Sequence, residues 1–267
     1  MIYSSGVESV PSAEATIPDL SMIVPTYNER DRIAELVAAV FQACDERAVN
    51  LEMVIVDDNS PDGTGDVADE LARTRRVKVI HRTGKLGLGT AVVAGFGVAS
   101  APILGVMDAD FSHPPSLVPR LLATFKAMEA DVVVGSRYVR GGSTPNWPLK
   151  RRVLSRFACM LARPLSPIRD AASGFFLIRR DVANGVAIKA GGFKILLELL
   201  VRARPHRLVE VPYRFEDRER GESKMSLKEA AGYLVQLRDL YLVRWKGRAG
   251  TSFEYLREPA SSTRSGR

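Results

Sequence analysis

Apolar and polar positions along the chain follow two periods, and the switch between them marks the elements. Short apolar runs open each cycle, at 21–25, 51–56, 77–80, 101–107 and 131–136. Runs of this length bounded by turn formers read as strands buried on both faces. Between the first two, apolar positions return every third or fourth residue, at Ile33, Leu36, Val37, Val40 and Phe41, which predicts a helix ending near Cys44. Further helices are expected over 64–74, from the glycine-rich stretch at 84–90 to about 99, and over 116–128. Strand and helix alternate through all five runs. That order implies an α/β fold with a mostly parallel central sheet and helices on both faces.

Each run ends in polar chemistry. Tyr27, Asn28 and Glu29 follow the first, Asp57 and Asp58 the second, Asp108 and Asp110 the fourth, and Arg137 the fifth. Open α/β sheets bind ligands outside the carboxyl ends of their strands, where these groups would gather. Asp108 and Asp110 are two apart, so on a strand they point the same way while Ala109 turns aside. Two carboxylates held together need a cation or a hydrogen-bond network to offset their repulsion. A divalent metal on a phosphate-bearing substrate would serve; capping the next helix is the plainer alternative. Neither the G-x-G-x-x-G dinucleotide fingerprint nor a Walker A sequence follows the first strand. The site is therefore expected to be a nucleotide site of another kind.

Composition narrows the class. With 267 residues, 46% hydrophobic and 26% charged, the chain is long enough for one large soluble domain. No apolar run reaches the length of a membrane span. The first residues lack the apolar core of a signal peptide and read as a loose tail. Cys44 and Cys159 lie in apolar helical contexts and are expected in the core, and the three histidines have no zinc spacing. The net charge of +7 is unevenly spread: from Arg137 to Arg169 there are eight basic residues and no acid. Such a block calls for an anionic partner, and the sparse aromatics and missing fold signatures argue against nucleic acid.

Taken together, the motifs resemble a known family. They run Ile23-Val24-Pro25-Thr26-Tyr27-Asn28-Glu29, Val56-Asp57-Asp58-Asn59-Ser60-Pro61-Asp62-Gly63-Thr64, Met107-Asp108-Ala109-Asp110, Gly135-Ser136-Arg137-Tyr138, Ser173-Gly174-Phe175 and Gly221-Glu222-Ser223-Lys224. The series is similar to the family 2 glycosyltransferases of GT-A fold, close to the dolichol- and polyprenol-phosphate mannose synthases. The resemblance covers about 20–230 and implies a GT-A domain over 20–245, flanked by tails expected to be disordered over 1–19 and, basic in character, over 246–267. Within the domain, 20–137 would be the nucleotide-sugar half and 138–245 the acceptor half.

The resemblance also implies roles. Pro25, Tyr27, Glu29, Asp57 and Asp58 would hold the nucleoside, with Asp58 facing the base. Asp108 and Asp110, with Ser112 beside them, would hold Mg2+ or Mn2+ on the diphosphate. Lys194, Arg218 and Lys224 would contact the donor, while Arg137, Arg151 and Ser155 would grip the acceptor phosphate. Asp110, Arg137 and Arg151 would stand nearest the chemistry. The implied reaction is inverting transfer of mannose from GDP-mannose to a polyprenyl phosphate. It would take place peripherally at the cytoplasmic face of a membrane, with room for a membrane-anchoring subunit. Ser112, Ala172 and Phe176 depart from the usual Gln, Thr and Arg. These departures keep a different donor such as UDP-glucose, another acceptor, or binding without turnover open. Finally, 226–245 reads as an amphipathic helix with Leu227, Ala230, Leu234, Leu237, Tyr241 and Leu242 on its apolar side. Packing on the domain is its expected use, and membrane docking through Arg238, Arg244, Trp245, Lys246 and Arg248 is the alternative.

Overall fold

The computed structural model describes residues 16–186, 188, 194–216, 227–246 and 253–258; in the last helix, side chains are described from 231 onward. The first half follows the expected cycle. Strand β1 (Leu20–Thr26) leads to α1 (Arg30–Asp45), β2 (Leu51–Asp57) to α2 (Thr64–Thr74), and β3 (Val77–His81) to α3 (Leu88–Val98). Strand β4 (Ile103–Val106) is followed by a 3-10 turn at Pro115–Leu117, α4 (Val118–Ala127) and β5 (Val132–Ser136). The second half adds α5 (Leu149–Ala162), β6 (Phe176–Arg179), α6 (Arg180–Ala183), α7 (Ile195–Arg202), β7 (Arg207–Pro212), α8 (Leu227–Lys246) and β8 (Glu254–Arg257).

The strands form one sheet in the order β3-β2-β1-β4-β6-β5-β7-β8. All neighbours are parallel except β6, which runs antiparallel between β4 and β5. Alternation along β1 explains the two layers. Met22 and Val24 face a cluster with Ile33, Leu36, Val37 and Val40 of α1 and Leu121 and Phe125 of α4. Ile23 faces the other way, into a cluster with Ala91 and Val92 of α3, Leu196 and Leu200 of α7, and Leu237 and Leu240 of α8. Strand β2 is covered on both faces and buried at every position, including Glu52, whose carboxylate is held by Ser21 and Lys78. Helix α3 approaches β1 closely through Gly95, where a Cβ would sit 2.6 Å from Ile23 Cγ2.

This topology decides where the site lies. Parallel pairing of β1 with β2 and β4, and of β5 with β7, brings their carboxyl ends to one edge. Because β6 is antiparallel, its amino end, Ser173–Phe175, enters the sheet from that same edge.

Two expectations need correction, and a third falls largely outside the described residues. Within 246–267, expected to be disordered, Glu254–Arg257 form an edge strand on β7. Ion pairs that sequence periodicity cannot show fasten it: Arg120 binds Glu258 through two nitrogens at 3.0 and 2.8 Å, and Arg207 Nε donates to Glu254 at 3.2 Å. The buried stripe of α8 is also rotated from the expected one. Tyr233, Gln236, Leu237 and Leu240 are buried, while Leu234, Tyr241 and Leu242 are exposed. Polar atoms set that phase: Tyr233 donates to Ala158 O at 2.7 Å, and Gln236 brackets the main chain of Lys194 and donates to Glu198 Oε2 at 3.2 Å. Buried polar groups are tolerated when bonded, so counting apolar residues misplaces the face. The expected 1–19 tail is the one that lies largely outside the described residues.

Candidate active site

The first wall is built on β1 and β2. Asn28 (φ 60°) and Asn59 (φ 59°) stand in left-handed backbone just past the two strands, a region asparagine tolerates better than most residues. They turn the chain so that side-chain oxygens meet backbone donors. Asp57, buried at the end of β2, accepts from Thr26 Oγ1 at 3.0 Å and from the backbone and hydroxyl of Ser60 at 2.9 and 2.5 Å. Asp58 accepts from Leu86 N and Gly87 N at 3.1 and 3.2 Å, and its other oxygen lies 2.7 Å from Arg82 Nη1 as an ion pair. Asp57 thus ties β1 to the turn after β2, and Asp58 ties the end of β2 to the glycine-rich loop before α3. Asp58 therefore anchors that loop. Tyr27 remains open at this wall, with Lys85 Nζ 3.9 Å from the centre of its ring. Pro25 and Glu29 lie in the same segment, and Glu29 N donates to Thr64 Oγ1 at 3.0 Å.

The floor follows β4. Asp108 is partly exposed and Asp110 is buried. Between Asp110 and Ser112 the chain passes through Phe111 at φ 62°, a costly conformation for a bulky residue and one that clusters at functional sites. That turn lets Ser112 N donate to Asp110 Oδ1 at 3.0 Å. The Ser112 hydroxyl is buried with no hydrogen-bond partner among the described residues. His113 supports the floor from below: its Nδ1 accepts Asp108 N–H at 3.0 Å, and its ring stacks on Phe175 at 4.9 Å. Burial holds His113 below its ordinary pKa against the opposing charges of Asp108 and Asp110, in keeping with an Nδ1 that accepts. On the far side, Gly174 leaves room beside the Asp108 carboxylate; a Cβ there would stand 3.4 Å from both oxygens.

These residues fit a divalent cation. Two carboxylates separated by one residue just past β4, a buried hydroxyl without a hydrogen-bond partner among the described residues and a side left open by Gly174 make an oxygen-only donor set. Among the described residues no group of three His, Cys, Asp or Glu could hold a metal alone. The remainder of the shell would fall to substrate phosphates and water, as is usual for Mg2+ and similar hard ions.

The third wall carries the cations. Arg137, after β5, is almost fully buried and paired with Asp170: Nε and Nη2 donate at 2.7 and 2.6 Å, and Arg137 N donates at 2.9 Å. Burial opposes the charge on Arg137, yet Asp170 more than offsets it, so the guanidinium stays firmly protonated. Trp147 and Phe215 pack around it, with ring centres 5.3 and 5.6 Å from its Cζ. Arg151 lies over Trp147 at 4.0 Å, and Ser155 accepts from Tyr138 OH at 2.6 Å, so α5 brings both to the same wall. Lys194, just before α7, is held below its usual pKa by burial and then by the charge of Arg137, with Asp108 and Asp170 pulling the other way. Its ammonium thus feels the charge of Arg137 on one hand and of Asp108 and Asp170 on the other. Arg218 and Lys224 lie outside the described residues.

Several members of the site escape a reading of the sequence. Asp170 is the first acid after the acid-free block, and that position is its only signal. Arg82, His113, Glu210, Tyr213 and Phe215 have none beyond lying next to strand ends. Phe176, where an arginine is the usual residue, is a core residue of β6 paired with Val106 and Val134.

An α/β sheet with a carboxylate pair past one strand end, an open tyrosine before it and cations after it fits an enzyme that transfers a group on a phosphate-bearing substrate. Residues 21–186 match the family model described as Glycosyl transferase family 2, and the chain belongs to that family of glycosyltransferases. It is 44% identical over 233 residues to a dolichol-phosphate mannosyltransferase of Pyrococcus furiosus, covering 85% of this chain and 64% of that one. It is 40% identical over 238 residues to the Saccharomyces cerevisiae dolichol-phosphate mannosyltransferase, covering 85% and 88%. A polyprenol monophosphomannose synthase of Mycolicibacterium smegmatis is 43% identical over 217 residues, covering 77% and 80%. The fold matches the mannosyltransferase PcManGT of Pyrobaculum calidifontis, solved with GDP-Man and Mn2+, at a TM-score of 0.63 and 19% identity over 89% of this chain and 66% of that one. It also matches glucosyl-3-phosphoglycerate synthase of Mycobacterium tuberculosis, solved with Mn2+ and UDP, at 0.61 and 19% over 85% and 80%.

Proposed function

We propose that this chain transfers mannose from GDP-mannose to a polyprenyl phosphate with inversion at the anomeric carbon. The observation that carries the reading is the division of charge across one sheet edge: carboxylates at Asp108 and Asp110, cations at Arg137 and Lys194. The likeness at 40–44% identity to dolichol-phosphate mannosyltransferases supports the choice of sugar and acceptor. Tyr27, Pro25 and Glu29 would receive the nucleoside on the loop that Asp57 and Asp58 shape. Asp108 and Asp110 would hold Mg2+ or Mn2+, which when bound neutralises the diphosphate as it leaves.

A phosphate monoester loses its second proton near pH 6, so at neutral pH the acceptor is already a nucleophile. It needs orientation more than a base. Arg137 suits that need, since Asp170 takes its Nε and one Nη edge and fixes the plane of the guanidinium, leaving the Nη1 edge for phosphate. Arg151 and Ser155 stand on the same wall. The acceptor oxygen would form its bond to the sugar carbon as the bond from that carbon to the nucleoside diphosphate breaks. Lys194 would meet the negative charge passing between them.

A lipid acceptor also fits the outside of this wall. Helix α5 exposes Leu149, Val153, Leu154, Phe157 and Met160 among Lys150, Arg152 and Arg156. Helix α8 beside it exposes Leu234, Val235, Leu242 and Trp245. Apolar side chains among cations suit an anionic membrane surface, and no helix among the described residues is long and apolar enough to cross one. Incubation with labelled GDP-mannose or UDP-glucose, with and without polyprenyl phosphate, tests the reading. Organic-soluble label is expected from GDP-mannose with the lipid; label from UDP-glucose alone would replace the donor.

A further inference from the structure

Behind Arg137 runs a chain of hydrogen bonds that ends in β8, the last strand among the described residues. Asp170, which orients Arg137, is itself held from the far side. Its backbone N–H donates to Glu210 Oε1 at 3.0 Å, and the neighbouring Arg169 N–H donates to Glu210 Oε2 at 2.8 Å. Glu210 is buried in β7, where a carboxylate is costly unless its oxygens are satisfied. Its remaining described partner is Tyr255, whose hydroxyl donates to Oε2 at 3.0 Å. Tyr255 pairs with Leu208 in the β7–β8 register, so Glu210 is its diagonal neighbour on the same face. Strand β8 is clamped at its ends by the Arg207–Glu254 and Arg120–Glu258 pairs.

We infer that Tyr255 is a positioning residue for the acceptor phosphate, acting through Glu210 and Asp170 on Arg137. The inference rests on the proposed transfer to a phosphate acceptor. The hydroxyl fixes the rotamer of Glu210, Glu210 fixes the 169–170 backbone, and the Asp170 carboxylate fixes the guanidinium plane. Outer-shell hydrogen bonds of this kind tune the group that touches substrate without touching it themselves. The connection also gives strand β8, which follows all the motifs of the site, a part in it. Burial and the Glu210 carboxylate push the Tyr255 phenol up to about 12, so it remains a donor across the working range.

The test uses the full chain carrying Tyr255→Phe, which removes only the hydroxyl, Glu210→Gln, and the two combined. Turnover is measured against polyprenyl phosphate and GDP-mannose, and acceptor binding without donor is measured by calorimetry. Tyr255→Phe is expected to raise KM and Kd for the acceptor by roughly three- to tenfold, the size of one hydrogen bond to a charged group lost in part. KM for GDP-mannose should hold, and the melting temperature should fall only modestly, since Glu210 keeps its two backbone donors. Because the two residues act in series, the double variant should be no weaker than Glu210→Gln alone. Unchanged acceptor constants in Tyr255→Phe, additive losses in the double variant, or donor and acceptor constants failing together would overturn the inference. Failure of the wild type to transfer mannose would instead count against the proposed function, and the binding arm would still decide the role of Tyr255.

Discussion

At the scale of single residues, charge is placed in buried positions and each placement has a consequence. Asp108→Asn or Asp110→Asn should lower mannosyl transfer by at least about a hundredfold, the scale of losing a preorganised electrostatic group, and leave the fold intact by circular dichroism. Arg137 and Asp170 form a buried pair, so Asp170→Asn strands a cation and should cost about 3–5 kcal/mol in urea unfolding. Combining Arg137→Met with Asp170→Leu should recover much of that stability while abolishing transfer; no recovery would mean that Asp170 matters to the fold for another reason. His113 sets an acid limit. Its folded pKa lies below the ordinary value of about 6.5, so the unfolded chain binds the proton first as pH falls. The stabilisation is whole above about 6.5 and is lost as pH drops through the lower folded value. The melting temperature should decline from pH 7 to 5, with a shallower slope in His113→Gln; equal slopes would refute the assignment. Most of the site's charged residues are legible one at a time from the sequence. Their partners are not, because the Arg137–Asp170 and Asp58–Arg82 contacts depend on loops that close only in three dimensions.

Among the elements, the early strands and helices are readable because each carries its own period and its own turn formers. β6, β7 and β8 are not. β6 and β8 are short and depend for their place on neighbours, β6 by lying antiparallel between β4 and β5, and β8 by ion pairs at its ends. Helix α8 is visible as a helix, but apolar counting mis-phases its buried face since bonded Tyr233 and Gln236 take core positions. Helix α3 offers a sharper test of packing. Gly95→Ala would put a methyl within 2.6 Å of Ile23 and should destabilise the protein by about 1–3 kcal/mol in denaturant titration. Gly97→Ala on the same helix has open space and should cost nothing comparable; equal effects would point to helix propensity, not to the close approach.

For the molecule as a whole, the carboxylate floor and arginine wall meet at one sheet edge, and the apolar faces of α5 and α8 extend from that wall. Flotation with anionic vesicles should show salt-sensitive binding, weakened roughly tenfold when Leu149 and Phe157 are both changed to Ser. Binding indifferent to both salt and these residues would detach the wall from any membrane. The central claim concerns one bond, formed between a lipid phosphate and the anomeric carbon of mannose. GDP-mannose labelled with carbon-13 at that carbon, incubated with polyprenyl phosphate and Mn2+, allows the linkage to be read directly by NMR of the extracted lipid. A β-linked mannosyl phosphate is the predicted product. Label remaining in the aqueous phase, or an α-linked product, would contradict the account.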